Sequence, residues 1–289
     1  MTVLEVIQRS TEFLGRKGVE TPRLQAELLL ANVLRCPRLK LYLDFERALN
    51  QAELDAMREL VRRRGNREPL QYLAGSAAFC GFELKVTPAV LIPRPETEVL
   101  AERGWAFLAG LASSVAAPEV LDFGTGTGCL AIALAVHRPH ARITALDVSA
   151  GALAVARANA ADHGVEEQIQ FVQGDSLAAV AGAAFHLIVA NPPYIPTGQL
   201  AELDPEVRDH EPRLALDGGV DGLDVIRHLA QHAAARLQPE GNIMLEFGDG
   251  QDEAVRALFE ESGWDVEAMV QDLAGRERHL VARPGGTKR

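Results

Sequence analysis

The sequence predicts an α/β protein with a mainly parallel sheet and a small helical bundle in front of it. From Glu96 onward, helical and β-rich patterns alternate, and strands that alternate with helices form parallel sheets. A glycine-rich turn ends the first of these strands, a position where such sheets bind ligands. The first 75 residues, in contrast, have helical patterns alone.

Residues 1–75 contain several helix start signals. Thr2 and Asn50 each stand three residues before a glutamate, which is the pattern of a capping box. Thr21 precedes Pro22, so we expect an N-cap followed by proline at the first helical position. A cluster of arginines near the end of this region is either a solvated helix end or a docking surface for a protein partner.

The rest of the chain divides into a linker and a large domain. Residues 76–95 are expected to contain a β-hairpin, because their strand pattern has a glycine near its centre. Residues 96–289 are expected to form the α/β domain. Its strands are predicted near 119–123, 142–147, 168–173, 185–190 and 241–247, followed by a terminal antiparallel hairpin of 264–269 and 278–282.

Composition and charge favour a cytoplasmic protein that acts on another protein. The chain is 47% hydrophobic, with no apolar run long enough to span a bilayer and no signal-peptide pattern. Its formal net charge is −11, and since residues 1–70 are slightly basic, the acidic excess lies in the α/β domain. Such a domain repels a phosphate backbone, so we expect no nucleic-acid substrate and no membrane partner. A monomer is expected.

No metal site is predicted. The three cysteines lie far apart and match no metal-binding spacing, so we expect them to be reduced and structural. His228 and His232 stand four residues apart on a predicted helix, as metal ligands can. A glutamate or third ligand that would complete such a site is missing from the pattern.

The segment Asn191-Pro192-Pro193-Tyr194 directly follows the strand predicted at 185–190. Two prolines stop a helix or a central strand, so the segment must be a loop at the strand end. The Asn191 side chain and a neighbouring backbone carbonyl can accept two N–H bonds from a planar NH2 group, while Tyr194 stacks on its flat face. The alternative is an ordinary strand-to-loop turn.

The glycine-rich turn comprises Gly124, Thr125, Gly126, Thr127 and Gly128. Glycines at a strand-to-helix turn let the backbone approach a ligand closely. The dinucleotide fingerprint would need glycine at Cys129, which weakens the hypothesis of a nicotinamide oxidoreductase. Asp147 ends the next predicted strand, where an acidic residue suits the two hydroxyls of a ribose.

Together these motifs resemble an S-adenosylmethionine-dependent methyltransferase that modifies NH2 groups conjugated to a carbonyl or a ring. Three further segments, 67–75, 91–98 and 211–223, narrow the resemblance to the PrmC/HemK family of protein-(glutamine-N5) methyltransferases. The resemblance implies a seven-stranded, Rossmann-like class I methyltransferase domain. It also implies S-adenosylmethionine as cofactor and, as substrate, the glutamine of the Gly-Gly-Gln loop in peptide chain release factors.

The resemblance also implies roles for individual residues. Asn191, Pro192 and Tyr194 would be catalytic, and with Pro193 they would bind the substrate amide. The cofactor would contact Gly124, Thr125, Gly126, Thr127, Gly128, Asp147, Asp175 and Asn191. Asp175 would bind the adenine amino group, but Ser176 replaces the aromatic residue frequent at the next position, which removes a possible adenine stack.

Other functions remain open at this point. A sister family methylates a glutamine in a ribosomal protein and shares the segment 191–194. Methylation of the N6 amino group of adenine uses the same chemistry but usually needs a basic reading surface. A non-catalytic scaffold is a further alternative, against which the intact glycines, Asp147 and Asn191 argue.

Overall fold

The computed structural model describes residues 1–111 and 114–286, and the chain forms two compact units. The helical unit comprises Met1–Ser76 and Leu203–His210. The α/β unit comprises Ala77–Glu202 and Glu211–Arg289. An α/β fold with a helical N-terminal region is therefore confirmed.

The described helices are α1 (Val3–Arg16), α2 (Pro22–Leu34), α3 (Arg38–Leu43), α4 (Gln51–Gly65), α5 (Leu70–Ala74), α6 (Pro95–Leu111), α7 (Cys129–His137), α8 (Ala150–Asp162), α9 (Pro205–His210), α10 (Asp224–His232) and α11 (Asp252–Glu261). The described strands are β1 (Ser76–Phe79), β2 (Phe82–Lys85), β3 (Glu119–Phe123), β4 (Arg142–Asp147), β5 (Ile169–Gln173), β6 (Phe185–Ala190), β7 (Leu237–Glu246), β8 (Trp264–Gln271) and β9 (Glu277–Pro284). Among these helices, none combines the length and the apolar composition that crossing a bilayer requires.

Two segments group differently from the ranges predicted for the domains. The hairpin β1–β2, predicted as part of a linker, packs with the α/β unit, where Phe79 and Leu84 are buried in the core. Leu203–His210 falls inside the range 96–289 but belongs to the helical unit. The physical reason is an ion-pair network, because the Glu206 carboxylate accepts hydrogen bonds from two arginines of that unit.

The three predicted helix starts of the helical unit are confirmed in position. Thr2 and Asn50 form capping boxes at α1 and α4, with each side chain accepting the backbone N–H three residues later. Thr21 is the N-cap residue of α2 and Pro22 is its first helical residue, as predicted. The Thr21 side chain makes no cap bond, however, because its backbone is left-handed, with φ 45°, whereas a capping side chain needs extended torsions.

Every arginine of the predicted basic cluster has a carboxylate partner within the helical unit. The pairs are Arg58–Asp55, Arg62–Glu59, Arg63–Glu68, Arg64–Glu206 and Arg67–Glu206. The Arg64 side chain is 4% exposed, and its Nη2 lies 2.7 Å from Glu206 Oε1. The cluster is therefore paired with carboxylates rather than presented as a row of free cations.

The main sheet has seven strands in the order β5-β4-β3-β6-β7-β9-β8. Strands β3 to β7 pair in parallel, and β9 pairs antiparallel with both β7 and β8. The predicted parallel strands and the terminal antiparallel hairpin are confirmed, with the difference that β7 begins at Leu237 rather than near residue 241. Its first residues are out of regular register with β6.

The strand order reverses at β3, since β4 and β5 lie on one side of it and β6 and β7 on the other. Phe123, the last residue of β3, is in register with Leu146 of β4 and Ala190 of β6. The residues that end or follow these strands, Asp147 and Asn191 among them, therefore meet at one edge of the sheet. In doubly wound sheets this switch point is where ligands bind.

Candidate active site

A cavity of about 300 Å³ opens at this switch point. Its lining includes eight predicted site residues: Gly124, Thr125, Gly126, Thr127, Asp147, Asp175, Asn191 and Pro193. The three other predicted residues, Gly128, Pro192 and Tyr194, do not line it. Other parts of the wall come from residues of segment 89–97, from residues beside the strand ends such as Asp122 and Phe123, and from the loop that contains Pro212, Leu214 and Ala215.

The glycine-rich turn depends on backbone torsions that other residues resist. Gly124 has φ 74° and Gly128 has φ 81°, both in the left-handed region. A Cβ at Gly128 would lie 3.1 Å from the Cβ of Ala156 on α8, so this glycine allows close helix packing. A Cβ at Gly124 would meet nothing within 4 Å, which leaves open space beside the turn for a ligand.

Asp147 ties the turns after β3 and β4 together. Its Oδ2 accepts the Gly126 N–H at 2.9 Å, and its Oδ1 accepts the Ser149 N–H at 2.9 Å. Each carboxylate oxygen keeps a further lone pair for another donor. Asp175, which lines the cavity after β5, accepts a hydrogen bond from the Ser176 hydroxyl at 3.0 Å.

Asp122 is a site residue that sequence reasoning missed. It lies in β3 and is 1% exposed, and its Oδ2 accepts hydrogen bonds from Thr125 Oγ1 at 2.6 Å and from the Ala131 N–H at 3.1 Å. Among the described residues, its buried Oδ1 has no partner. Burial raises the pKa of this carboxyl group to about 7, with a further contribution from nearby Asp147. The sequence did contain a signal for this residue, because an acidic side chain inside an apolar strand needs a partner or a function.

Asn191 contacts α6 through its side-chain amide. Its Nδ2 donates to Thr97 Oγ1 at 2.9 Å, and Thr97 donates to Glu246 Oε2 at 2.6 Å. Within the described part of the chain, nothing donates to Asn191 Oδ1. Asn191 and Thr97 both line the cavity, so the free amide oxygen is a hydrogen-bond acceptor at its wall.

Tyr194 lies behind the cavity wall. Its hydroxyl donates to Glu246 Oε1 at 3.2 Å and accepts from Arg278 Nη2 at 3.0 Å. The Arg278 guanidinium also lies over the tyrosine ring, 5.4 Å from its centroid. Burial raises the pKa of the Tyr194 phenol above its ordinary value. The Tyr194 hydroxyl is thus held by Glu246 and Arg278. Stacking of its ring on a substrate amide stays a prediction.

Glu246, the last residue of β7, is fully buried and is the second residue that sequence reasoning missed. Burial raises the pKa of its carboxyl group, against the hydrogen bond from Thr97 and the charge of Arg278, which lower it. Arg278 Nη2 lies 3.9 Å from Glu246 Oε1 and provides a countercharge. The neighbouring His279 is also buried, which lowers its pKa to about 4, so it is neutral near pH 7.

An ion pair fixes another side of the cavity. Arg94 Nη2 lies 2.7 Å from Glu211 Oε1 and 2.8 Å from Oε2. Arg94 lines the cavity, and Glu211 precedes the lining residue Pro212. Burial raises the pKa of the Glu211 carboxyl group although Arg94 opposes this shift. The pair therefore links the segment that contains Arg94 to the loop that contains Pro212.

In the described ranges, no three His, Cys, Asp or Glu side chains form a group suited to a metal ion. The rings of His228 and His232 lie 4.7 Å apart, and burial lowers the pKa of His228. The three cysteines are unpaired thiols.

Two family models match this chain. Residues 5–75 match the model described as PrmC N-terminal domain, and residues 102–203 match the model described as methyltransferase small domain. Among solved structures, a methyltransferase from Pyrococcus furiosus has a TM-score of 0.53 at 17% identity, with 78% of this chain and 99% of that chain covered. A likeness at this identity shows the fold alone.

Curated relatives extend the match over the full chain. A release factor glutamine methyltransferase from Geobacter sulfurreducens is 44% identical over 284 residues, which cover 98% of this chain and 97% of that protein. The protein of the same name from Chlorobaculum tepidum is 46% identical over 286 residues, with 96% of both chains covered. With this identity over both units, the chain belongs to the release factor glutamine methyltransferase family.

Proposed function

We propose that this protein transfers a methyl group from S-adenosylmethionine to the side-chain amide nitrogen of a glutamine in a peptide chain release factor, and that Asn191 and Pro192 bind this amide. Family membership supports the reaction, and the names of the relatives supply the release factor as substrate. The observation that carries the residue assignment is the Asn191–Thr97 hydrogen bond, because it leaves Asn191 Oδ1 as an acceptor at the cavity wall.

The residues around the cavity fit S-adenosylmethionine. The unpartnered Oδ1 of Asp122 suits the ammonium group of the amino-acid portion, and the open space beside Gly124 admits it. The remaining lone pairs of Asp147 suit the ribose hydroxyls. Asp175 lines the cavity where the adenine amino group is expected, and the backbone from Thr125 to Thr127 would contact the ligand at its centre. When bound, this cofactor supplies a methyl group activated by a positively charged sulfur.

The protein would contribute to the reaction by orienting the substrate amide and by accepting its N–H bonds. An amide nitrogen is a poor nucleophile, because its lone pair is delocalised into the carbonyl group. Asn191 Oδ1 and the Pro192 carbonyl would accept the two N–H bonds of the substrate, which returns electron density to nitrogen and aims its lone pair at the methyl group. N-methylation makes the nitrogen strongly acidic, so its proton can pass to water or Asn191 without a dedicated base. Fixed dipoles and orientation therefore provide most of the rate.

We further propose that the helical unit docks the substrate protein. Its residues 5–75 match the PrmC N-terminal domain, whereas the match to the methyltransferase small domain, residues 102–203, lies in the α/β unit up to Glu202. Its slightly basic composition suits an acidic partner surface better than the acidic α/β unit does. Methylation of a ribosomal protein glutamine is the alternative that uses the same amide chemistry.

The direct test measures methyl transfer from labelled S-adenosylmethionine to a purified release factor. A release factor with glutamine replaced by alanine in its Gly-Gly-Gln loop is the matched control, and duplex DNA and a ribosomal protein fraction are further acceptors. We expect label on the wild-type factor alone. Equal label on the alanine variant, or label on DNA, would contradict the proposed substrate.

Cofactor binding is expected to weaken as pH falls below about 7. An ammonium group pairs with the ionised carboxylate of Asp122, whose pKa is raised to about 7 by burial, so at lower pH a proton must leave when the cofactor binds. The association constant should then fall by up to about tenfold per pH unit between pH 7 and pH 5, and level off above pH 8. Calorimetric titration of S-adenosylmethionine across this range measures the slope.

The matched control for this prediction is Asp122→Asn, which keeps the shape of the side chain and removes its titration. The variant should bind the cofactor more weakly at pH 8 and show a flatter pH dependence. An unchanged slope in Asp122→Asn would assign the titration to another group.

A further inference from the structure

Thr97 stands between the buried carboxylate of Glu246 and the partly buried amide of Asn191, and its hydroxyl has one proton to donate. Thr97 Oγ1 lies 2.6 Å from Glu246 Oε2 and 2.9 Å from Asn191 Nδ2. Thr97 is 1% exposed and Glu246 is fully buried, so competing water is excluded from the hydrogen bond between them. A hydroxyl that donates to Glu246 can only accept from its other neighbour. Asn191 must therefore direct its NH2 group at Thr97 and its oxygen elsewhere.

The ionised form of Glu246 determines the direction of the hydrogen bond from Thr97, because a carboxylate can only accept. Each of its oxygens faces a hydroxyl donor, Thr97 on Oε2 and Tyr194 on Oε1. The Arg278 guanidinium, 3.9 Å from Oε1, supplies the opposite charge that a buried carboxylate needs. Two hydroxyl donors and a guanidinium fit a carboxylate that accepts from both sides.

The orientation of Asn191 decides which kind of substrate group the cavity accepts. With Oδ1 free, the wall offers an acceptor and suits a group that carries N–H bonds. With the amide reversed, the wall would offer two donors and would suit a carbonyl or carboxylate instead. A side-chain amide rotated by 180° has almost the same shape, so packing alone discriminates weakly between the two orientations.

We propose that Thr97 and Glu246 are positioning residues, which hold the Asn191 amide in the single orientation that accepts the N–H bonds of the substrate. This inference rests on the proposed function, because it takes the substrate group to be an amide NH2. Thr97 and Glu246 act through Asn191 and do not themselves bind the substrate amide.

The test compares Thr97→Val, which keeps the side-chain shape but removes the hydroxyl, with Thr97→Ser, which keeps the hydroxyl. Thr144→Val is the control, since Thr144 is also a buried threonine of this unit, lies on β4 and makes no contact with Asn191 in the described structure. We expect kcat of Thr97→Val to fall about tenfold or more, because the released amide samples both orientations. Thr97→Ser and Thr144→Val should stay within about threefold of wild type, and the cofactor dissociation constant should change less than about twofold in all three.

Methyl transfer to a release factor, calorimetric cofactor binding and thermal unfolding provide the readouts. If Thr97→Val does not fold, Thr97→Ala carries the same expectation. Wild-type kcat in either folded variant would overturn the inference. An equal loss of kcat in Thr97→Ser would also overturn it. A loss of cofactor affinity that parallels the loss of kcat would do the same, since either result indicates a merely structural role for Thr97. Failure of the proposed function differs from these results, because wild-type enzyme would then leave the glutamine unmethylated.

Discussion

Replacement of Asn191 by alanine is expected to lower kcat by about 10²–10³-fold, which is the usual effect of removing one fixed dipole that stabilises a transition state. The variant loses the only side-chain acceptor that we assign to the substrate amide. The cofactor dissociation constant should change little, because Asp122, Asp147 and the glycine turn remain. Single-turnover methyl transfer at saturating cofactor, beside calorimetric binding, separates these two effects.

Asn242→Ala is the matched control for this prediction. Asn242 is a buried asparagine of the α/β unit, and its Nδ2 donates to Glu267 Oε2 on β8, away from the cavity lining. Its loss should lower the thermal unfolding midpoint without a comparable loss of kcat. Wild-type turnover in Asn191→Ala, or an equal fall in both variants, would contradict the role of Asn191.

Gly222→Ala is expected to destabilise the α/β unit by about 1–3 kcal/mol beyond the cost of its backbone torsion, which is the usual penalty of overpacking. Gly222 has φ 79°, and a Cβ there would lie 2.3 Å from the Tyr194 carbonyl oxygen and 2.7 Å from Gln251 Nε2. These two atoms form a hydrogen bond of 2.9 Å that holds the loop after Asn191. The added methyl group must force them apart, so methyl transfer should fall together with stability.

Gly275→Ala is the control, because Gly275 has nearly the same torsion, φ 80°, but open space where its Cβ would lie. Both variants share the cost of placing alanine in the left-handed region, about 1 kcal/mol. Denaturant unfolding of the two variants isolates the clash as the difference between them. If both variants lose the same free energy of unfolding, the loop at Gly222 accommodates the added methyl group by moving, and the predicted clash does not occur.

Local patterns predicted the strands and the turns that carry the candidate site. The glycine turn, Asp147 and Asn191 each follow a short apolar strand, and parallel pairing alone brings strand ends to one edge. Asp122 and Glu246 also left a local signal, since each is an acidic residue within an apolar strand. Their role needed the structure, because a buried carboxylate is explained by its partners.

The hydrogen-bond partners of Glu246 are distant along the chain. Thr97 lies on α6, 149 residues from Glu246 and 94 from Asn191, and no periodicity relates such positions. Tyr194 illustrates the same limit. A tyrosine after two prolines suggests an aromatic platform, while its actual hydroxyl partners, Glu246 and Arg278, follow from the packing of β7 and β9.

The chain crosses from the α/β unit to the helical unit and back, which affects how the two units can be produced as separate fragments. Leu203–His210 lies between two stretches of the α/β unit but counts with the helical unit, so neither unit is one continuous piece of sequence. A fragment that ends at Ser76 would lack Glu206 and leave the guanidinium groups of Arg64 and Arg67 without their shared carboxylate. The complementary fragment would carry that carboxylate without its two arginines. Independent production of either half therefore requires moving or removing α9, because a single cut separates the buried guanidinium of Arg64 from the Glu206 carboxylate.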